Sequence, residues 1–296
     1  HLLTRKNDLC NYKGIMMENE QVTRKQHFLP VMYLKNFTNK DGKLWQFNLK
    51  YRTYKEIAPA QTCYKDFLYE TPWKNPYGKK QFALVNYLEN HFSTREALYS
   101  AYISPICKKV CMNNANILDI TADERKVLAE FTTNIFLRHP NLMKAMQLDT
   151  VTPEDLRKND IEKIEKLFGK EAETVLLFLK KCEWLDEQLP EGYFQFVQRM
   201  FEGMKLVFLI SCNSEFVTCD WPILNAQIGG EIITFMLPLS PKCCVCYSSI
   251  IKQEKISCIA DDLVNCYNKL HIEKKLSRIN YIYAHRKQDI ERMFEI

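Results

Sequence analysis

Residues 231 to 249 read EIITFMLPLSPKCCVCYSS, and this stretch decides the fold class. Two runs of β-branched, aromatic and small apolar residues flank Ser-Pro-Lys, so the segment predicts two strands joined by a turn. KLVFLISC (205–212) and EFVTCDWPIL (215–224) share that texture, and INYIYAH (279–285) predicts a final strand. Alternation along a strand sends Cys244 and Cys246 to one face and Cys243 to the other. These three are expected to be small buried residues, as free cysteines commonly are.

Upstream the pattern changes. KLWQFNLKYRTYKEIAP (43–59) reads as two short strands around a turn near Lys50, a hairpin. Helices then take over. In residues 79–111 apolar side chains recur at three and four, through Phe82, Val85, Leu88 and Phe92 and on through Leu98, Tyr102, Ile106 and Val110. Pro105 is expected to kink or end that helix. TADE sets Thr121 three residues before Glu124 as a capping box, and Val127, Leu128, Phe131 and Ile135 supply the buried stripe that follows.

A second start signal is TPED, with Thr152 as N-cap and Pro153 at the first helical position. The charged segment 156–189 reads as two helices broken near Gly169, and EGYFQFVQRMFEGM (191–204) as another. Residues 261–277 return to helical spacing with Leu263, Cys266, Tyr267 and Leu270. The expected fold class is α+β: a helical middle packed with a mainly antiparallel sheet formed by an N-terminal hairpin and C-terminal strands. Residues 1–15 are expected to be a leader or expression remnant, with Met16 or Met17 as a natural start. Residues 16–296 are then a single α+β domain, with a helical subdomain over 80–205 as the alternative.

Composition removes several function classes. The chain has 296 residues, 46% apolar and 26% charged, an ordinary globular balance. No apolar run approaches the roughly 20 residues of a membrane-spanning helix, so no membrane partner is expected. Only eight glycines are present, in neither GxGxxG nor GxxxxGK[ST] arrangement, which argues against a kinase, a P-loop ATPase or a Rossmann dehydrogenase. Twelve cysteines without regular spacing point to reduced thiols and a cytoplasmic location. The net charge of +5 is small and dispersed.

Several separated stretches together resemble the successive blocks of one family. QHFLPVMYLKNF (26–37), LWQFN (44–48), DFLYE (66–70), NIFLRHP (134–140), FVTCDWPIL (216–224), LPLSPK (237–242) and LVNCYNKL (263–270) are similar, in this order, to domain of unknown function 4238. The resemblance spans roughly residues 24–285 and implies a fold unit and a residue shortlist without a reaction. The shortlist is Gln26, His27, Arg138 and Asp220, with Tyr33 and Asn134 as neighbours. The family pattern has Gln where this chain has Asn134, and Ser-Asp-Asn-Pro where it has Cys219, Asp220, Trp221 and Pro222.

A His, a carboxylate and an Arg form a workable hydrolase set: His27 as general acid or base, Asp220 to stabilise its imidazolium, Arg138 to hold an anion. Gln26, Tyr33 and Asn134 would bind beside them. The expectation is a metal-independent hydrolase acting on a phosphate ester or nucleic acid, such as a nuclease used in conflict with mobile elements. It would need no cofactor, and its partner would be nucleic acid or a small anionic ligand. The alternative is a non-catalytic binding protein in which the same polar groups hold the fold or seat an anion.

Other templates fit less well. Arg278 and His285 have the Arg-x6-His spacing of the helical higher eukaryotes and prokaryotes nucleotide-binding ribonucleases, but RINYIYAH reads as strand. Glu273 and Lys275 have the spacing of a restriction-type nuclease but lie in HIEKKL, which reads as surface. His91 and His139 read as local or surface residues. His271 and His285 lack companions at ligand spacing, so no metal is expected.

Overall fold

The structure, a computed structural model, describes residues 21–73, 81–113, 117–158, 161–228 and 230–294. The expected leader, residues 1–15, lies outside them. In chain order the first elements are β1 (Lys25–His27), α1 (Val31–Lys35), β2 (Leu44–Asn48), β3 (Thr53–Ile57), β4 (Tyr64–Asp66), β5 (Thr71–Trp73) and β6 (Gln81–Ala83). Helices α2 (Tyr87–Met112), α3 (Ala122–Leu137), α4 (Pro140–Ala145), α5 (Pro153–Lys158), α6 (Ile161–Phe168), α7 (Ala172–Leu185) and α8 (Tyr193–Gly203) follow. Strands β7 (Lys205–Ser211), β8 (Thr218–Cys219), β9 (Leu224–Ile228), β10 (Glu231–Ser240), β11 (Cys243–Ser248) and β12 (Lys255–Ile259) lead to α9 (Asp261–Glu273), β13 (Tyr281–Ala284) and α10 (Lys287–Glu291). The fold is α+β.

Both helix starts read from the sequence form as capping boxes. Glu124 N–H donates to Thr121 Oγ1 at 3.1 Å while Thr121 N–H donates to the Glu124 carboxylate at 2.6 Å. At the second, Thr152 N–H donates to Asp155 Oδ2 at 2.7 Å and Asp155 N–H returns to Thr152 Oγ1 at 3.4 Å. Each pair satisfies donors that the first helical turn leaves without carbonyl partners. Helix α2 begins at Tyr87, so Phe82, read as part of its apolar stripe, lies instead in β6 and Val85 precedes the helix, and α2 does not end at Pro105. That residue and Ala101, whose carbonyl it frees, both face solvent, while Ile103, Ile106 and Val110 are buried along the opposite face.

The chain divides into two compact units. Among the described residues, the first comprises those of His1–Phe28, Tyr64–Arg95 and Leu137–Val197, and the second those of Leu29–Cys63, Glu96–Phe136 and Gln198–Ile296.

Within the first unit, β1 pairs antiparallel with β4 and β5 with β6. Gly169, at φ +55°, separates α6 from α7 where the sequence places a break. Helix α7 buries Val175, Leu176, Phe178 and Leu179, and Trp184 stacks on Tyr193 with ring centres 4.2 Å apart. Gly192 closes the turn after α7, where a Cβ would stand 2.9 Å from the Glu183 carbonyl oxygen.

In the second unit the strands form two principal sheets where one was expected. The order β3-β2-β13-β8 joins the N-terminal hairpin to C-terminal strands, and β12-β7-β11-β10-β9 forms a separate five-stranded sheet. The latter is antiparallel except for β12 beside β7. The segment 231–249 is the β10–β11 hairpin, with Met236 opposite Cys246. Cys244 and Cys246 pack with Val207, Val264 and Tyr267, whereas Cys243 meets the thiols of Cys107 and Cys111 on α2. Alternation therefore splits the cysteines as expected. Helix α9 buries Val264, Tyr267, Asn268, His271 and Ile272; of the apolar residues read there, Leu263, Cys266 and Leu270 are exposed.

Candidate functional site

The first unit holds Gln26, His27 and Arg138. Strand alternation turns Gln26 inward, and it is fully buried while Lys25 is exposed and His27 half-buried. The Gln26 amide donates to Glu70 Oε1 at 2.6 Å, and its carbonyl oxygen accepts from Tyr69 N–H at 2.7 Å. Glu70 also accepts from Asn86 N–H at 3.2 Å. Burial pushes the Glu70 carboxyl above its ordinary range, and the bonds from Gln26 and Asn86 oppose that rise. Lys181 Nζ donates to the Glu70 carbonyl oxygen at 2.9 Å and pairs with Asp149 at 2.8 Å.

Arg138 follows the last residue of α3 and is only 1% exposed. Its Nε donates to the Tyr69 hydroxyl at 2.8 Å and its Nη2 donates to the His27 carbonyl oxygen. The Tyr69 hydroxyl donates to that same carbonyl at 2.9 Å. The guanidinium also lies 4.0 Å from the Phe92 ring centre, a cation–π arrangement. The His27 ring meets Tyr64 edge-on at 5.6 Å.

Tyr33, Asn134 and Asp220 belong to the second unit. The buried Tyr33 hydroxyl shares a 2.6 Å hydrogen bond with Thr218 Oγ1 and donates to the Pro238 carbonyl oxygen at 2.8 Å, joining α1 to β8 and β10. Asn134 is buried on α3. The Asp220 carboxylate accepts from Asn280 N–H at 3.0 Å and from the Asn280 amide at 3.2 Å, tying the segment after β8 to the start of β13. Burial raises its pKa to about 6 against these bonds.

Two residues read as surface or isolated lie inside the second unit. Lys275, expected on a polar surface, is buried and donates to the carbonyl oxygens of Trp221 and Ile223. It also bonds His271 Nε2 at 3.0 Å, and Cys219 Sγ stands 3.8 Å from that nitrogen. Burial lowers the Lys275 ammonium to about 8 and pushes the His271 imidazole well below its ordinary range. The carbonyls that draw Lys275 inward come from a loop more than fifty residues earlier, so its position leaves no local pattern. Tyr281–Ala284 is strand, as RINYIYAH suggested, and Arg278 and His285 do not share a helix.

A cleft of about 510 Å³ opens in the second unit between the start of β2 and the segment from β13 into α10. Lys40, Asp41, Trp45, His285, Arg286 and Lys287 are among its lining residues. Arg286 donates to both oxygens of Asp289, at 2.8 and 2.9 Å, and lies 3.3 Å from Glu215. Lys287 pairs with Glu291 at 2.7 Å. Sequence reading missed this group; the clue available was three consecutive basic or imidazole residues, His285 to Lys287, after the final strand. Among the described residues, the cluster with donor spacing for a metal ion is His91, Asp186 and Glu187, in the first unit.

Among the described residues no helix is long and apolar enough to cross a membrane. Comparison with curated proteins and with solved structures finds no match. The family described as Protein of unknown function (DUF4238) matches residues 25–288, nearly the whole chain. With Gln26, Arg138 and Asp220 each inside that match, the chain belongs to the DUF4238 family.

Proposed function

We propose that this protein is a cytoplasmic binding protein for a phosphate-bearing ligand, a nucleotide or single-stranded nucleic acid, seated in the cleft of the second unit. The observation that carries this reading is that Lys40, His285, Arg286 and Lys287, with one acid, Asp41, line the same cleft as the half-buried indole of Trp45. A flat aromatic face takes a base, and cations beside it take phosphate oxygens. Asp289, Glu215 and Glu291 pre-position Arg286 and Lys287 while offsetting part of their charge, which favours modest affinity. Free thiols at the described cysteines suit a reducing compartment.

A hydrolase built on His27, Arg138 and Asp220 is supported less. The Arg138 guanidinium is buried and engaged by a carbonyl, a hydroxyl and an aromatic face, so holding a substrate anion would require it to leave those partners. The test is fluorescence anisotropy with labelled single-stranded RNA, single-stranded DNA and a labelled nucleotide. Binding by the wild type, weakened at least about tenfold by Lys40→Glu with Lys287→Glu and retained by His27→Ala, is expected. Absence of wild-type binding, or equal binding by the double variant, overturns the reading. Wild-type turnover of those substrates, lost in His27→Ala, replaces it with the hydrolase.

A further inference from the structure

His91 sits on α2, and Asp186 and Glu187 follow the last residue of α7, all within the first unit. One donor atom from each lies within 4.8 Å of the others. His91 Nδ1 is 3.9 Å from Asp186 Oδ1 and 3.7 Å from Glu187 Oε1. Two donors each about 2.1 Å from a tetrahedral ion stand about 3.4 Å apart, so the two His91 distances need only a small contraction to seat a metal, and the carboxylates, within 4.8 Å, would close on the ion with it. We propose that His91, Asp186 and Glu187 form a binding site for a divalent transition ion of the Mn²⁺ or Zn²⁺ class.

An independent feature points to a missing cation. Glu187 is more than nine-tenths buried, and its Oε2 is enclosed without a hydrogen-bond partner. A carboxylate oxygen sealed from water ordinarily has a donor or an ion beside it. Arg95 and His91 approach the other oxygen, with Arg95 Nε 3.9 Å and His91 Nδ1 3.7 Å from Glu187 Oε1. Supporting contacts fix the ligands, as metal-site carboxylates require. Tyr87 donates its hydroxyl to Asp186 Oδ2 at 3.1 Å, and Gln188 N–H donates to Asp186 Oδ1 at 2.8 Å. Gln195 donates to the Glu187 carbonyl oxygen, and the close approach at Gly192 tightens the same turn.

The donor set selects the ion. Two carboxylates and one imidazole suit Mn²⁺, Fe²⁺ or Zn²⁺; a site for Ca²⁺ or Mg²⁺ would be built from oxygen alone. Three protein ligands leave positions open to water or a further ligand. The site shares no residue with the basic cleft, so it stands whether or not that cleft binds phosphate.

The test measures Mn²⁺ binding by electron paramagnetic resonance of the free ion, and Zn²⁺ binding by competition with a chromogenic chelator. Wild type is compared with Glu187→Gln and His91→Gln, and circular dichroism with cooperative unfolding verifies each fold. The difference from wild type isolates this site from thiol binding elsewhere. The expected result is at least about a tenfold loss of affinity for one of the two ions in each folded variant. Indistinguishable isotherms for wild type and a folded variant, with both ions, overturn the proposal. If one variant fails to fold, the other decides.

Discussion

Arg138 reaches His27 through the backbone: its Nη2 donates to the His27 carbonyl oxygen, which also accepts the Tyr69 hydroxyl at 2.9 Å. The contact holds Arg138 against β1 with its guanidinium buried. Arg138→Lys keeps the charge and loses the planar fork, so it should destabilise by about 2 kcal/mol in urea denaturation. His27→Ala preserves the carbonyl and should cost clearly less. An equal loss in the two variants would mean that the imidazole matters to the fold as much as the carbonyl.

Asp220 gives the second unit a pH dependence. Burial raises its folded pKa from the ordinary 3.8 to about 6, so the native state binds the proton more tightly than the unfolded chain. That contribution is fully present below about pH 4 and is lost as pH rises through about 6, amounting to roughly 3 kcal/mol. Asp220→Asn cannot titrate and should flatten this part of the profile. Urea midpoints for both proteins from pH 4 to 7.5 measure the difference, and parallel profiles would contradict the assignment.

Among the described residues, Cys111 should be the fastest-modified exposed thiol. A hydrogen bond from Cys243 and the nearby Lys242 cation lower its pKa against partial burial, which raises the thiolate fraction near neutrality. Limiting iodoacetamide at pH 7.5, followed by peptide mass spectrometry, should label Cys111 severalfold faster than Cys212, Cys258 or Cys266. Labelling at equal rates would show that the thiolate is not favoured.

Binding in the basic cleft should fall steeply with salt if phosphates displace counterions from it. Affinity for a short single strand should drop several-fold between 50 and 200 mM salt, with a shallower slope in Lys40→Glu. Trp45→Leu should weaken nucleic-acid binding more than inorganic phosphate binding, because only the former stacks. Anisotropy and a phosphate competition assay separate the two, and identical losses would exclude stacking.

The capping box at Thr121, the N-cap at Thr152, the hairpin near Lys50, the break at Gly169 and the opposite facing of Cys243 and Cys244 were legible in sequence. Each depends on residues within a few positions of one another, where helix and strand periods dictate geometry. The division of the strands into two sheets was not legible, because pairing β13 with β2 joins segments more than two hundred residues apart. Lys275 looked like surface for the same reason: Trp221 and Ile223 supply the carbonyls that take it inside.

The family shortlist identified residues that are buried and bonded, but not what they bond to. Gln26 finds Glu70, Arg138 finds a main-chain carbonyl and Asp220 finds Asn280. His91 meets Asp186 and Glu187 from ninety-five residues away. By itself the sequence determined the α+β class, the starts of α3 and α5 and the alternation of the strands, since these follow from local sterics and hydrogen bonding. Only the tertiary structure decided which polar groups share a site, because desolvation makes each buried donor or acceptor take whatever partner the packed chain brings beside it.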